Sequence, residues 1–155
     1  MEPLLTTIVF WLSVNFGLPA TYEHPLIEFV PPAKMAEVRY SRLAALQPHR
    51  FSSEAGRSAP PEVGQDVNGI YDDHNRTIYL LERWSSARPA DVSVLVHEMV
   101  HHLQNYAGEK FICPQEREKD AYKAQRTWLS LFDRTLEQEF HIDPMTVLVR
   151  TNCLQ

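Results

Sequence analysis

The sequence predicts an α+β fold in which a small sheet packs against two long helices, and three patterns support this. Asp91 to Ala107 has the apolar spacing of an amphipathic helix. Val67 to Tyr71 and Thr77 to Leu81 are short apolar runs on either side of a turn-rich connection, as in a β-hairpin. A second long helical pattern runs from Pro114 to about Phe140. With 155 residues and 44% apolar content, the chain is expected to form one domain, residues 1–155.

The composition argues against two classes of partner. The formal net charge is −5 and there is no basic run, so nucleic acid is not expected as the main partner. No apolar stretch is long enough to span a bilayer. The most apolar segment, Leu4 to Val14, lacks the basic start and the cleavage site of a signal peptide. We expect it to be a core helix that ends at Gly17.

A strand and a helix are expected next. Leu26 to Val30 reads as a short strand that two prolines stop, and Ala33 to Leu46 then reads as a helix with Pro32 near its first turn. Gln47 to Asp66 is rich in Ser, Pro, Gly and charge, which indicates a loop. His49 in this loop is expected to be solvated.

The helix from Asp91 to Ala107 contains an HExxH motif, His97 to His101. Residues four apart on a helix point about 40° from each other, so both imidazoles can reach one metal ion and Glu98 can reach a water on it. Both histidines lie opposite an apolar arc, together with Ser93 and Gln104, so one face should pack and the other should look into a cleft. Two solvated histidines on a surface helix are the alternative. The apolar arc consists of Val92, Leu95, Val96, Met99, Val100, Leu103, Tyr106 and Ala107.

The residues that flank the motif mark the helix ends and exclude one class of zinc site. Asp91 is the expected N-cap, and Gly108 stands where a glycine commonly ends a helix. The longer HExxHxxGxxH pattern needs glycine and histidine where this chain has Gln104 and Ala107. That class of site is therefore excluded.

A catalytic zinc site needs a third protein ligand and leaves its fourth position to water. On the second long helix Glu118 lies on the inward stripe, whereas Glu116 and Asp120 lie on the opposite, charged face. A carboxylate on a packing face is costly unless a positive charge meets it, and a zinc ion would do so. We expect Glu118 as the third ligand; a pairing of Glu118 with arginine, or Cys113 as the ligand, is the alternative. The rest of the inward stripe is Ala121, Tyr122, Gln125, Trp128, Leu129, Phe132 and Leu136.

These residues resemble a known family. HExxH followed by Glu118-Lys119-Asp120-Ala121 looks like the HExxH plus ExxA pattern of gluzincin-type zinc metallopeptidases. Gly69 to Asp72 and Asn75 to Leu80 are similar to the strand-turn-strand of minimal zincins, including ImmA/IrrE-like peptidases and short bacterial zincin-like proteins. The match covers about Asn68 to Leu129.

The resemblance implies a minimal zincin-like domain and a zinc-dependent metallopeptidase. His97, His101 and Glu118 would hold Zn²⁺, and Glu98 would be the general base for a zinc-activated water that hydrolyses a peptide bond. It also suggests Thr77 to Leu81 as the edge strand that pairs with the substrate backbone. The expected partner is a peptide or protein substrate, in a narrow range. A non-catalytic, zinc-stabilised binding or regulatory module with the same fold is the alternative, because no separate cleft-closing domain is evident.

Peptide hydrolysis also calls for a donor to the developing oxyanion. Tyr122 is a candidate catalytic residue because it lies one turn beyond Glu118 on the same face. His102, Tyr106 and Tyr79 are alternatives. An acceptor should orient each zinc-binding imidazole, but the sequence does not identify it.

Two cysteines bear on the compartment. Cys113 precedes the Glu118 helix, and Cys153 follows a short apolar helix that begins after Asp143-Pro144. A disulfide between them would pin the tail to the active-site layer and imply a periplasmic or secreted location. Two reduced thiols would fit the cytoplasm, and the sequence leaves both possibilities open.

Overall fold

A computed structural model describes residues 1–46 and 68–153. The predicted loop from Gln47 to Asp66, with His49, lies outside these residues. Helices and a mixed sheet are both present, which confirms the α+β class. The elements are α1 (Glu2–Phe16), β1 (Leu26–Val30), α2 (Pro32–Leu46), β2 (Gly69–Asp72), β3 (Thr77–Leu81), α3 (Pro89–Ala107), α4 (Pro114–Ser130), α5 (Leu136–Phe140) and α6 (Pro144–Thr151).

Within residues 1–46 and 68–153 the sheet has three strands, in the order β1-β3-β2. β2 runs antiparallel to β3, so the predicted hairpin is confirmed, and β1 runs parallel to β3 on its other side. The expectation that β3 offers an edge to a substrate is wrong, because both of its sides already carry a strand. The strand next to the HExxH helix is β2, which packs on α3.

α1 is a core helix, as its apolar composition predicts. Gly17 ends it with a φ of 68°, in the left-handed region that glycine adopts without a steric penalty. No helix in residues 1–46 or 68–153 is both long enough and apolar enough to cross a membrane. The residues that α1 buries are Leu5, Ile8, Val9 and Leu12.

α3 lies at the centre of the molecule and is buried on all sides from Val92 to Gln104. The predicted apolar arc packs into the main core from Val92 to Leu103, whereas its last two members, Tyr106 and Ala107, are exposed. The opposite face does not simply look into a cleft. α4 covers much of it, so that Ser93 and Gln104 are fully buried.

The two ends of α3 differ in how well the sequence predicts them. Gly108 ends the helix with a φ of 66°, as expected. The helix begins at Pro89, and its N-cap is Arg88, three residues before the expected cap. Asp91 is therefore not the cap; its carboxylate accepts a hydrogen bond from the Ser85 amide at 2.7 Å and pairs with Arg88.

The second long helix is shorter than predicted. α4 ends at Ser130, and Asp133 then takes a φ of 55°, which turns the chain. α5 begins with a capping box: the Thr135 hydroxyl accepts from the Gln138 amide at 3.2 Å, and the Gln138 side chain accepts from the Thr135 amide at 3.1 Å. Phe132 lies in the turn and is exposed, so it is not part of the inward stripe.

A disulfide joins Cys113 and Cys153, with a Cα–Cα distance of 5.8 Å. Cys113 is the N-cap of α4, and Cys153 lies just beyond α6. The bond ties the end of the described chain to the start of the helix that carries Glu118. Since both sulfurs are used, Cys113 is excluded as a zinc ligand.

Candidate metal centre

The three predicted ligands lie together between α3 and α4. His97 and His101 stand one turn apart on α3, and Glu118 faces them from the second turn of α4. His97 Nε2 lies 3.0 Å from Glu118 Oε2, and His101 Nε2 lies 3.3 Å from Glu118 Oε1. The three donor atoms are all within 4.8 Å of one another.

The chemistry of this donor set fits a zinc ion. Zinc holds imidazole nitrogen and carboxylate oxygen at about 2.0–2.2 Å, which places neighbouring ligand atoms of a tetrahedral site about 3.3 Å apart. The two observed separations, 3.0 and 3.3 Å, are close to that value. In residues 1–46 and 68–153, no other group of three His, Cys, Asp or Glu side chains has such spacing.

Hydrogen bonds fix the orientation of the His97 ring. His97 Nδ1 lies 3.0 Å from Gln125 Oε1, and Gln125 Nε2 lies 3.3 Å from the Ser93 hydroxyl. That hydroxyl donates its proton to the Ala90 carbonyl, so it must accept from Gln125. Gln125 therefore presents its oxygen to His97, Nδ1 carries a proton, and Nε2 is the ring nitrogen that faces Glu118.

His101 is held in the same way by a second glutamine. Its Nδ1 lies 3.2 Å from Gln104 Oε1, and Gln104 Nε2 donates to the Arg117 carbonyl at 3.2 Å. Arg117 in turn makes a two-bond contact with the Asp73 carboxylate, at 2.7 and 2.6 Å. The acceptors that the sequence could not identify are thus Gln125 and Gln104. The signal was present, because Gln104 was expected on the same helix face as the two histidines, and Gln125 on the inward stripe of the second long helix.

The charges in the cluster favour a cation. Burial raises the pKa of Glu118, but the two imidazoles, His101 first, lower it far more, so the pKa lies well below its usual range. Burial lowers the pKa of His97, and the contacts with Glu118 more than offset this, so the net pKa is raised. Glu118 is therefore ionised at neutral pH, and its negative charge lies between two nitrogen donors.

Glu98 lies at the contact between α3 and β2. It is buried, and its Oε2 accepts a hydrogen bond from the Tyr71 amide at 2.8 Å. The close approach depends on Gly69, where a Cβ would lie 2.6 Å from Val94 Cγ1 and 3.2 Å from Glu98 Cγ. The absence of a side chain at this position lets β2 come close enough to bind the carboxylate.

Tyr122 is also brought to the site. It is buried, and its ring meets the His97 ring nearly at right angles, with 4.9 Å between the centroids. Arg150 Nη1 donates to the Tyr122 hydroxyl at 2.8 Å. Burial raises the pKa of Tyr122 more than Arg150 lowers it, so the phenol keeps its proton at neutral pH.

The other donors considered from the sequence are placed differently. Both ring nitrogens of His102 already have hydrogen-bond partners: Nε2 lies 2.7 Å from the Glu23 carbonyl, and Nδ1 lies 3.2 Å from the Tyr71 hydroxyl. Tyr106 is exposed and does not line the cleft, whereas Tyr79 does line it. Arg150 was not anticipated, because nothing local in the sequence links residue 150 to the motif. The pair of cysteines was the available signal, because a bond between Cys113 and Cys153 brings the chain near residue 150 to the start of α4.

An open cleft of about 1010 Å³ lies over these groups. Its walls come mainly from α2, β2, α3 and α4, with single residues of β3, α5 and α6, and they include residues of both charges. Four of the residues discussed above, His97, Glu98, Glu118 and Tyr122, share this lining with Arg150. His97, Glu98, Glu118 and Tyr122 therefore face a space large enough for part of a peptide, whereas His101 lies behind them and does not line it.

Comparisons with known proteins give a family but no activity. A family model described as "Domain of unknown function (DUF6647)" matches residues 1–155. No match was found among curated proteins or among solved structures. Any functional assignment therefore has to come from the geometry of the site.

Proposed function

The chain belongs to the DUF6647 family over residues 1–155, and we propose that it is a zinc-dependent metallopeptidase with a minimal zincin-like fold. The observation that carries the proposal is the cluster of His97, His101 and Glu118, whose donor atoms lie within 4.8 Å of one another. Support for the finer fold assignment comes from the order of elements: a hairpin, the HExxH helix packed on it, and a following helix that supplies the carboxylate.

The proposed chemistry assigns one role to each residue. His97, His101 and Glu118 would hold zinc, which lowers the pKa of a water and polarises a carbonyl. Glu98 takes the proton of the attacking water and passes it to the leaving amine. The Tyr71 amide holds Glu98 through Oε2, so Oε1 is the oxygen left for proton transfer. Tyr122, protonated and beside His97, is the proposed donor to the oxyanion.

The structure changes the proposed path of the substrate. Since β3 is the central strand, a peptide backbone cannot add to it. Among the strands of the described residues β2 is an outer one, and it lines the cleft through Gly69, Ile70 and Asp72. We place an extended substrate along β2, in contact with the site.

One observation favours a second candidate function, a non-catalytic zinc-stabilised module. A carboxylate at Glu98 is chemically unnecessary in such a module only if it has no structural task. Glu98 does have one, because it accepts the buried amide of Tyr71. The presence of Glu98 therefore does not by itself separate a peptidase from a binding protein.

The disulfide has a consequence for location. Disulfides persist in oxidising compartments and are rare in the cytosol. The Cys113–Cys153 bond therefore supports a periplasmic or secreted protein over a cytoplasmic one.

The first experiment is elemental analysis of the purified chain. We expect about one zinc per chain, with the metal lost in His101→Ala and Glu118→Ala. Asp120→Ala is the matched control, because Asp120 lies on α4 but is exposed and is not in the cluster. Metal that persists without Glu118 would show that the ligand set is wrong, and a chain that never takes up metal would overturn both candidates.

The second experiment separates the two candidates. The zinc-loaded chain and its Glu98→Gln variant are incubated with a peptide mixture, and products are identified by mass spectrometry. A peptidase cleaves, and Glu98→Gln lowers the rate by about 10²–10⁴-fold while zinc content is retained. Zinc binding without cleavage by the unaltered chain would favour the binding module.

A further inference from the structure

Arg150 places a positive charge on the wall of the cleft. It is exposed, lines the cleft, and uses Nη1 to donate to the Tyr122 hydroxyl at 2.8 Å. Within the described residues no carboxylate oxygen lies within 4.0 Å of Arg150, whereas Arg76 and Arg117 each contact one. A guanidinium has five N–H donors, so most of its donor capacity is left for a ligand or for water.

The position of Arg150 is set from two directions. α6 packs against α4, and Val147 on α6 contacts a small apolar cluster that includes Tyr122, Leu129 and Leu136. One turn further on, the disulfide at Cys153 anchors the chain to the start of α4. An arginine held in this way loses little conformational entropy when it binds a ligand.

The place that Arg150 occupies is close to the proposed scissile bond. Tyr122, its hydrogen-bond partner, lies one turn from Glu118, and its ring is 4.9 Å from the His97 ring. An extended peptide advances about 3.3–3.6 Å per residue. A group bound at Arg150 therefore belongs to a residue within about two positions of the bond that is cleaved.

We propose that Arg150 forms a carboxylate-binding subsite of the cleft, so that the preferred substrates carry a carboxylate next to the scissile bond. The planar fork of a guanidinium can donate two parallel hydrogen bonds to a carboxylate. It therefore binds a carboxylate more strongly than it binds a neutral group. The carboxylate can be the C-terminus of the peptide or the side chain of Asp or Glu. Tyr122 acts as a positioning residue for this subsite, since its oxygen accepts one N–H and fixes the orientation of the fork. This substrate class rests on the proposed peptidase function.

The test is a binding measurement, so that it does not depend on turnover. Zinc-loaded Glu98→Gln protein is titrated calorimetrically with an acetylated hexa-alanine peptide as the free acid, with its C-terminal amide, and with amides that carry one Asp at successive positions. We expect at least one acidic class to bind about 10- to 100-fold more tightly than the neutral amide. A preference for the free acid alone identifies the C-terminus, and a preference for an Asp amide identifies the side chain.

Two arginine variants make the test specific. In the Glu98→Gln background, Arg150→Gln should remove the preference for acidic peptides, and Arg150→Lys should restore only part of it, because lysine keeps the charge but not the fork. Arg126→Gln is the matched control, because Arg126 is an exposed arginine on α4 that does not line the cleft. No preference for either acidic class, or a preference that survives Arg150→Gln, overturns the subsite.

The outcome for the subsite can be told apart from the outcome for the proposed function. Cleavage that depends on Glu98 but shows no preference for acidic peptides leaves the peptidase proposal standing and removes the subsite. An acidic preference that is lost in Arg150→Gln, in a chain that cleaves no peptide, leaves the subsite standing and removes the peptidase proposal.

Discussion

The amide of Tyr71 on β2 donates a hydrogen bond to Oε2 of Glu98 on α3, at a distance of 2.8 Å. The bond joins the middle of the outer strand to the carboxylate of the HExxH motif, and both residues are buried. It fixes which oxygen of Glu98 is occupied and holds the strand against the helix. The first two predictions concern this contact.

Removing the acceptor at Glu98 should destabilise the fold more than changing its charge. Glu98→Ala leaves the buried Tyr71 amide without a partner, which costs about 1–3 kcal/mol, whereas the side-chain oxygen in Glu98→Gln can still accept. Urea unfolding of the metal-free proteins measures both losses without a contribution from zinc. Equal losses in the two variants would mean that the hydrogen bond does not hold the strand.

A side chain at Gly69 should force β2 away from α3. The added Cβ would lie 2.6 Å from Val94 Cγ1, on a stiff β-branched side chain, so we expect Gly69→Ala to cost about 1–3 kcal/mol. Val94→Ala removes the obstructing carbon. In the double variant the loss should be smaller than the sum of the two single losses, and additive losses would contradict the steric explanation.

The glutamine behind His97 should tune the affinity for zinc. Gln125→Met removes the acceptor for His97 Nδ1, and we expect zinc to bind about 10- to 100-fold more weakly. Competition with a chromogenic chelator at fixed pH measures the change. Gln125→Glu keeps an acceptor towards His97 and serves as the control. Unchanged affinity in Gln125→Met would show that His97 is oriented by something else.

The disulfide should contribute stability without contributing to the metal cluster. Replacing both Cys113 and Cys153 by serine opens a loop with a sequence separation of 40 and should lower the free energy of unfolding by about 2–4 kcal/mol. Zinc content should stay the same, because neither sulfur is a ligand. Denaturation and elemental analysis of the same sample test both parts, and loss of zinc in the double variant would contradict the second.

The N-cap of α6, Asp143, should make part of the free energy of unfolding depend on pH. Hydrogen bonds from Thr146 lower the pKa of Asp143 below its ordinary value. A carboxyl whose pKa is lowered by folding stabilises the fold above about pH 4, and the contribution is lost as the pH falls through the lower, folded pKa. Asp143→Asn keeps the acceptor but does not titrate.

Urea midpoints measured for both proteins should therefore converge as the pH falls from about 6 to about 3. The unaltered protein should lose more stability than Asp143→Asn over this interval. A constant difference between the two curves would show that the cap is not coupled to the charge of Asp143.

The parts of the fold that local patterns encode could be predicted from the sequence. The helix that carries the motif, the hairpin and the inward position of Glu118 all follow from periodicity over a few turns. The same reasoning missed the end of α4, because apolar spacing continues through the turn at Asp133 into α5. The capping-box residues Thr135 and Gln138 are present in the sequence and indicate that a new helix starts there.

What the sequence could not show depends on contacts between distant segments. β1 lies parallel to β3 and so makes β3 the central strand, and no local pattern reports that pairing. Gln125 could be placed on an inward face, but its partner, His97, is known only once α3 and α4 are packed. Arg150 reaches the cleft through the packing of α6 and the disulfide, which the sequence left as one of two possibilities.

The bond between Cys113 and Cys153 divides the site between two topologically different parts of the chain. Glu118, Tyr122 and Arg150 belong to a covalently closed ring, whereas His97 and Glu98 belong to the linear chain before it. A single backbone cut within the ring cannot release any of its residues until a reductant opens the bond. The part of the site contributed by α4 and α6 therefore stays covalently connected after one proteolytic cleavage within the ring. The part contributed by α3 lies outside the ring and is not protected in this way.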